Sequence, residues 1–287
     1  MPERVGDKRM TDTGNIDRKT VDGFGEEWAA FDQTDLPPDE QRRIFDDYFS
    51  VFPFADLPAD AEGFDLGCGS GRWADLMAGK VEHLHCIDPS EKALAVAKRR
   101  LGARGNVTFH HAGVDSIPLA DASQDFGYSL GVLHHIPDTQ AALADCVAKL
   151  KPGAPFLVYL YYSFDNKPLW FRSVWTVSDQ VRKVVARMPF ALRKATTTAL
   201  AATVYWPLTR VALLGEKMGR NVDNLPLAPY RHYSFYTMRT DALDRFGTRL
   251  EQRFSKAQIR TMMEACGLRD VVFREGVPYW VACGRKA

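Results

Sequence analysis

No stretch of this chain approaches eighteen uninterrupted apolar residues, so a membrane-spanning helix is not expected. Residues 1–20 are polar and mixed in charge and lack the apolar core of a signal peptide; they read as a flexible tail. The cysteines (Cys68, Cys86, Cys146, Cys266 and Cys283) are odd in number and form no C-x-x-C pair. That excludes a disulfide framework and a thiolate zinc site, and fits reduced thiols in a cytoplasmic protein with no metal. An excess of charge of one sign is lacking too: the formal net charge is +1 over 287 residues, so nothing global attracts nucleic acid.

What is present is a soluble, globular composition, 46% hydrophobic and 25% charged, long enough for one elaborated domain. Pro37 and Pro38 start a helix with an apolar stripe of Ile44, Phe45, Tyr48 and Phe49. From residue 62 short apolar strands alternate with helices of about ten residues. The strands are GFDLG, VEHLHCID, NVTFHHA, QDFGYSLGVL and APFLVYLYY. Such alternation predicts a parallel α/β sheet with helices on both faces. After the helix SKAQIRTMMEACGL, the segments RDVVFREG and PYWVACGRK predict an antiparallel edge hairpin. Between the fifth strand and that helix, residues 163–252 read as an inserted helical subdomain, with the core at 21–162 and 253–287.

The informative turn is FDLGCGSGRWADL. A glycine turn leaving the first strand aims backbone amides at a ligand above the sheet's C-terminal edge. The dinucleotide fingerprint G-x-G-x-x-G requires a third glycine at position 72, which is Arg72. The spacing is instead Asp65, Gly67, Gly69, Gly71, and an acid beside the turn repels a pyrophosphate while suiting an ammonium. Asp88 ends strand two, where it can accept from ribose hydroxyls. Ribose plus an α-ammonium without phosphate describes S-adenosylmethionine.

These motifs resemble class I S-adenosylmethionine-dependent methyltransferases, with SIPLADASQDFGYSLGVLHHIPD and LKPGAPFLVY similar to the ubiquinone- and menaquinone-biosynthesis type. The resemblance implies a Rossmann-like seven-stranded sheet, mostly parallel, in the order 3-2-1-4-5-7-6. It implies that Gly67 and Gly69 line the methionine portion, and Asp65, Cys68, Gly71 and Pro89 are expected as further cofactor contacts in the same turns. Asp88 would bind the ribose, and Leu130 would offer a carbonyl to the amino group. The family's adenine-reading acid falls at Gly113, so the backbone of Val114, with Asp115 nearby, is expected to take that role.

Beyond the cofactor, His134 and His135 follow strand four, where a base could reach the acceptor. His232 is a third candidate, within PYRHYSFY. Tyr161 and Tyr162, with Tyr230, Arg231, Tyr233 and Tyr236, are expected to meet a small-molecule acceptor. Phe24, Trp28 and Phe31 read as a cover over the cofactor. Residues 165–225 carry ten Lys and Arg against four Asp and Glu. That face is either a solvated outer surface or one suited to an anionic membrane.

Overall fold

The computed structural model describes residues 14–165, 167–222 and 224–287. Residues 1–13 of the expected tail lie outside the described residues. The rest of that stretch is not a tail: α1 (Arg18–Ala30) opens within it, capped by the Asp17 carboxylate, which accepts from the Thr20 amide at 2.7 Å. Asn15, just ahead of α1, exchanges hydrogen bonds with the backbone of Asp138.

The elements that follow are α2 (Pro38–Tyr48), β1 (Glu62–Leu66), α3 (Arg72–Met77), β2 (His83–Asp88), α4 (Glu91–Leu101) and β3 (Val107–His111). Next come β4 (Phe126–Leu130), α5 (Thr139–Lys149) and β5 (Pro155–Tyr159). Four helices come after β5: α6 (Leu169–Val185), α7 (Phe190–Leu200), α8 (Trp206–Lys217) and α9 (Phe235–Gly247). The chain ends with α10 (Lys256–Ala265), β6 (Leu268–Phe273) and β7 (Val281–Lys286). The seven strands form one sheet in the order β3-β2-β1-β4-β5-β7-β6, and only β7 runs antiparallel to its neighbours.

Apolar residues on both faces of each central strand bury the sheet between two helical layers. On one side Phe64, Ile87 and Phe156 pack with Leu143 of α5 and Met263 of α10. On the other, Leu84, Cys86 and Tyr128 meet Phe45 of α2, Trp73 of α3 and Leu101 of α4. All five cysteines are free thiols. The β1–β4 register sets Gly63 opposite Phe126 and Phe64 opposite Gly127. Each phenyl ring fills the place a side chain would take on the facing glycine, 2.4 Å from where its Cβ would stand.

The helices after β5 have a small core of their own, with Val185, Ala201, Tyr205, Met238, Ala242 and Phe246. A five-residue π-helical turn (Ala201–Tyr205) joins α7 to α8. Two polar ties fasten this group to the N-terminal helices. Arg193 pairs with Glu26 of α1 at 3.1 Å, and Glu40 of α2 accepts from the Ser234 amide (2.8 Å) and the Thr237 hydroxyl (2.5 Å). The strand tips, α1 and α9 thus enclose one space.

The tight β1–β4 seam makes a stability prediction. Gly63→Ala forces the Phe126 ring to move in a packed core and should cost about 1–3 kcal/mol, read as a lower denaturant midpoint with unchanged slope.

Candidate active site

The turn between β1 and α3 is built on left-handed glycines: Gly67, Gly69 and Gly71 have φ of 76°, 54° and 75°. A Cβ on Gly67 would stand 2.4 Å from Val132, and one on Gly69 2.8 Å from the Trp28 indole. Gly71 has a different task, because its bare Cα lets α3 lie against Leu101 and Ala97 of α4. It does not line the cavity above the turn.

Asp88 fixes this turn to the tip of β2. Its two carboxylate oxygens accept from the Gly69 amide at 2.9 Å and the Ser90 amide at 2.8 Å. Burial pushes its pKa up to about 6, against the pull of those two amides. Asp65 sits beneath the turn and not on the cavity. Burial there, opposed by the Tyr128 hydroxyl and reinforced by Asp88, pushes its pKa up to about 8.

Above the turn lies a cavity of about 320 Å³. Gly67, Cys68, Gly69, Asp88, Pro89, Val114 and Leu130 line one part of it. Asp115 does not; its carboxylate turns outward to accept from the Asn15 amide at 3.1 Å. The space beside Gly113 is taken by Ile16, whose Cδ1 would lie 2.3 Å from a Cβ there. α1 closes this part with Phe24, Glu27 and Trp28, and Arg72 stacks between Trp28 and Trp73. Phe31 points elsewhere, against Tyr236 and Arg239.

The other part is walled by Tyr48, Tyr159, Tyr161, Tyr162, Tyr230 and Tyr233. Four expected residues are absent from it. The Tyr236 hydroxyl accepts from the Gln33 amide, and Arg231 and His232 both pair with Glu216 (2.6 and 2.9 Å) away from the cavity. His134 is fully buried behind the wall, 3.9 Å from the Tyr161 ring, with neither nitrogen partnered. Burial holds it neutral, well below the usual imidazole range.

His135 alone of the three candidate bases reaches the cavity. Its Nδ1 lies 2.6 Å from the Leu250 carbonyl, which can only accept, so the proton sits on Nδ1. Nε2 is left buried, with a free lone pair and no partner. Burial lowers the pKa of this ring, keeping it neutral.

Sequence reasoning missed the polar face of α9. Thr237, Thr240, Asp241, Asp244 and Arg245 all line the cavity, at helical spacing. Asp244 accepts from the Tyr161 hydroxyl at 2.7 Å, and its other oxygen is buried without a partner. Burial raises the pKa of Asp244, pushes that of Asp241 up to about 6, and raises that of Glu27 on α1 well above the carboxylate range. The signal was there: in TDALDRFG, acids three apart share a helix whose other face is apolar. Arg253 was missed as well; it is paired with Glu251 at 2.7 Å and lies over the Tyr161 ring.

Comparison with known proteins matches residues 64–158 to the methyltransferase domain model. Residues 64–158 belong to the methyltransferase domain family. The chain is 36% identical over 91 residues to a ubiquinone biosynthesis O-methyltransferase of Aromatoleum aromaticum, covering 31% of this chain and 39% of that protein. It is 31% identical over 111 residues to phosphoethanolamine N-methyltransferase 2 of Caenorhabditis elegans, covering 38% of this chain and 25% of that one. The chain thus spans well under two thirds of the length of these relatives. Among solved structures, a SAM dependent methyltransferase from Aquifex aeolicus aligns with a TM-score of 0.46 at 13% identity, over 87% of this chain and 97% of that one.

S-adenosylmethionine is the ligand expected of the glycine turn and Asp88. The residues fit it: Gly67 and Gly69 form a left-handed turn that lines the cavity, and each Asp88 oxygen keeps a lone pair for a ribose hydroxyl. The unpartnered acids at the cavity suit a ligand carrying an ammonium and a sulfonium. Asp88 accepts best when ionised, so S-adenosylhomocysteine affinity should be full above pH about 6 and fall as pH drops through it. Asp88→Ala should weaken binding at least tenfold, about 1.4 kcal/mol, and abolish that acid limb. Calorimetric titration across pH reads both.

Proposed function

We propose that this protein transfers a methyl group from S-adenosylmethionine to a hydroxyl of a small-molecule acceptor held against the tyrosine wall. The observation that carries the reading is that one cavity joins the glycine turn and Asp88 to that wall, with the free Nε2 of His135 between buried residues at its edge. Likeness to a ubiquinone biosynthesis O-methyltransferase supports oxygen as the acceptor atom.

When bound, the cofactor supplies an electrophilic methyl on a positively charged sulfur, so no covalent enzyme intermediate is required. The chain's part is to align, to exclude water and to take up a proton. The tyrosine rings give an acceptor flat apolar surfaces, with hydroxyls at their edges for orientation. α1 and α9 shield the space from solvent, Trp28 lying over the glycine turn. The free Nε2 lone pair of His135 would take up the proton of an acceptor hydroxyl held in the cavity, and the Leu250 carbonyl would stabilise the imidazolium through Nδ1. Tyr161 braces the Asp244 carboxylate, whose charge favours that imidazolium.

His135→Ala should lower kcat by about 10²–10⁴ while leaving S-adenosylhomocysteine affinity unchanged. Because the base works only when neutral and its pKa is lowered, the acid limb of kcat should lie below the ordinary imidazole value of 6.5. Turnover of a labelled methyl on a panel of hydroxyl, amine and carboxylate acceptors tests the reading. A methyl ether product is expected. Amine products alone, or an unchanged kcat in His135→Ala, would sink the hydroxyl assignment.

A further inference from the structure

The exposed faces of the inserted helices are apolar where a solvated helix would be polar. On α6, Trp170, Val174, Val177, Val181 and Val184 recur every three or four residues and are 45–68% exposed. They make one stripe about 20 Å long at 1.5 Å per residue. On α8, Leu208, Val211, Leu214 and Met218 repeat the pattern at 40–61% exposed. Neither stripe is covered by another part of the described chain.

Charge identifies what covers them. Arg172, Lys183, Arg187, Lys217 and Arg220 are exposed on or just beyond the same two helices. Among the described residues 167–222 no Asp or Glu is exposed. Asp179 is taken by Arg182 and Lys183, and Glu216 by Arg231 and His232. Pairing of two copies through these faces would set cations against cations. An anionic lipid surface meets both demands, since apolar side chains enter the acyl boundary while Arg and Lys stems reach back to the headgroups.

We propose that α6 and α8 form a peripheral docking surface for an anionic membrane. The same insertion walls the cavity through Phe171 of α6 and Leu225 beyond α8, so docking sets the cavity beside the bilayer. The proposal concerns the surface and stands whether or not methyl transfer is the activity.

Flotation of the full chain with vesicles is the test. Equal parts phosphatidylglycerol and phosphatidylcholine should carry the protein at low salt, and high salt should weaken binding because headgroup attraction is screened. Phosphatidylcholine alone should bind at least tenfold less. The double variants Val177→Glu with Val181→Glu, and Val211→Glu with Leu214→Glu, should each lose at least tenfold in vesicle affinity. Circular dichroism and an unchanged melting temperature establish that they fold. Equal binding to both vesicle types, or folded variants that still float, would overturn the proposal. So would no vesicle binding together with a dimer in sedimentation velocity that the same substitutions dissolve. A monomer that ignores both vesicles overturns it equally.

Discussion

Every other part of the site depends on the carboxylate of Asp88 receiving two backbone amides from two different loops. One amide, from Gly69, belongs to the turn after β1; the other, from Ser90, belongs to the turn after β2. Because β1 and β2 are neighbours in the sheet, a single side chain fixes how far apart their tips stand. The glycine turn then holds its open shape above the crevice where parallel sheets bind ligands. Gly71 contributes from below by letting α3 and α4 approach, which sets the height of the turn above the sheet.

The second theme is an excess of buried acid. Asp65, Asp88, Asp241, Asp244 and Glu27 all have raised pKa values, with burial as the leading cause in each. A carboxyl whose pKa is higher folded than unfolded takes up protons on folding. Its contribution therefore falls as pH rises from the unfolded value towards the folded one. The protein carries this cost near neutrality, and four of the five acids (Asp88, Asp241, Asp244 and Glu27) carry it at the cavity.

The tyrosine-walled side of the cavity follows a different logic. Its wall comes from β5 and the segment just beyond it (Tyr159, Tyr161, Tyr162), from α2 (Tyr48) and from the loop before α9 (Tyr230, Tyr233). Leu227 and Phe164, both lining this region, hold φ near 60°, a conformation costly for large side chains and found where a site demands it. Helices α6 and α8 present apolar side chains outward, which separates them from an ordinary solvated cover.

The sheet was legible in the sequence because strand and helix periods differ, and its strand order came from the family resemblance that the glycine turn and Asp88 carry. Of the residues expected at the cofactor, Gly67, Gly69, Asp88, Val114 and Leu130 line the cavity, since each lies at a strand tip or in the turn after it. Local reading of the sequence failed for His232, Arg231 and Tyr236, whose neighbours in PYRHYSFY say nothing of which side faces inward; a surface pairing with Glu216 claims the first two. It failed again for Asp241, Asp244 and Glu27, placed on the cavity by packing of α1 and α9 across some two hundred residues of chain. Choosing His135 over His134 required tertiary structure too, because only the fold brings the Leu250 carbonyl to one ring and seals the other behind Tyr161. Motifs within one turn of chain are set by local geometry, whereas groups from distant segments meet only where the whole core has decided their distance.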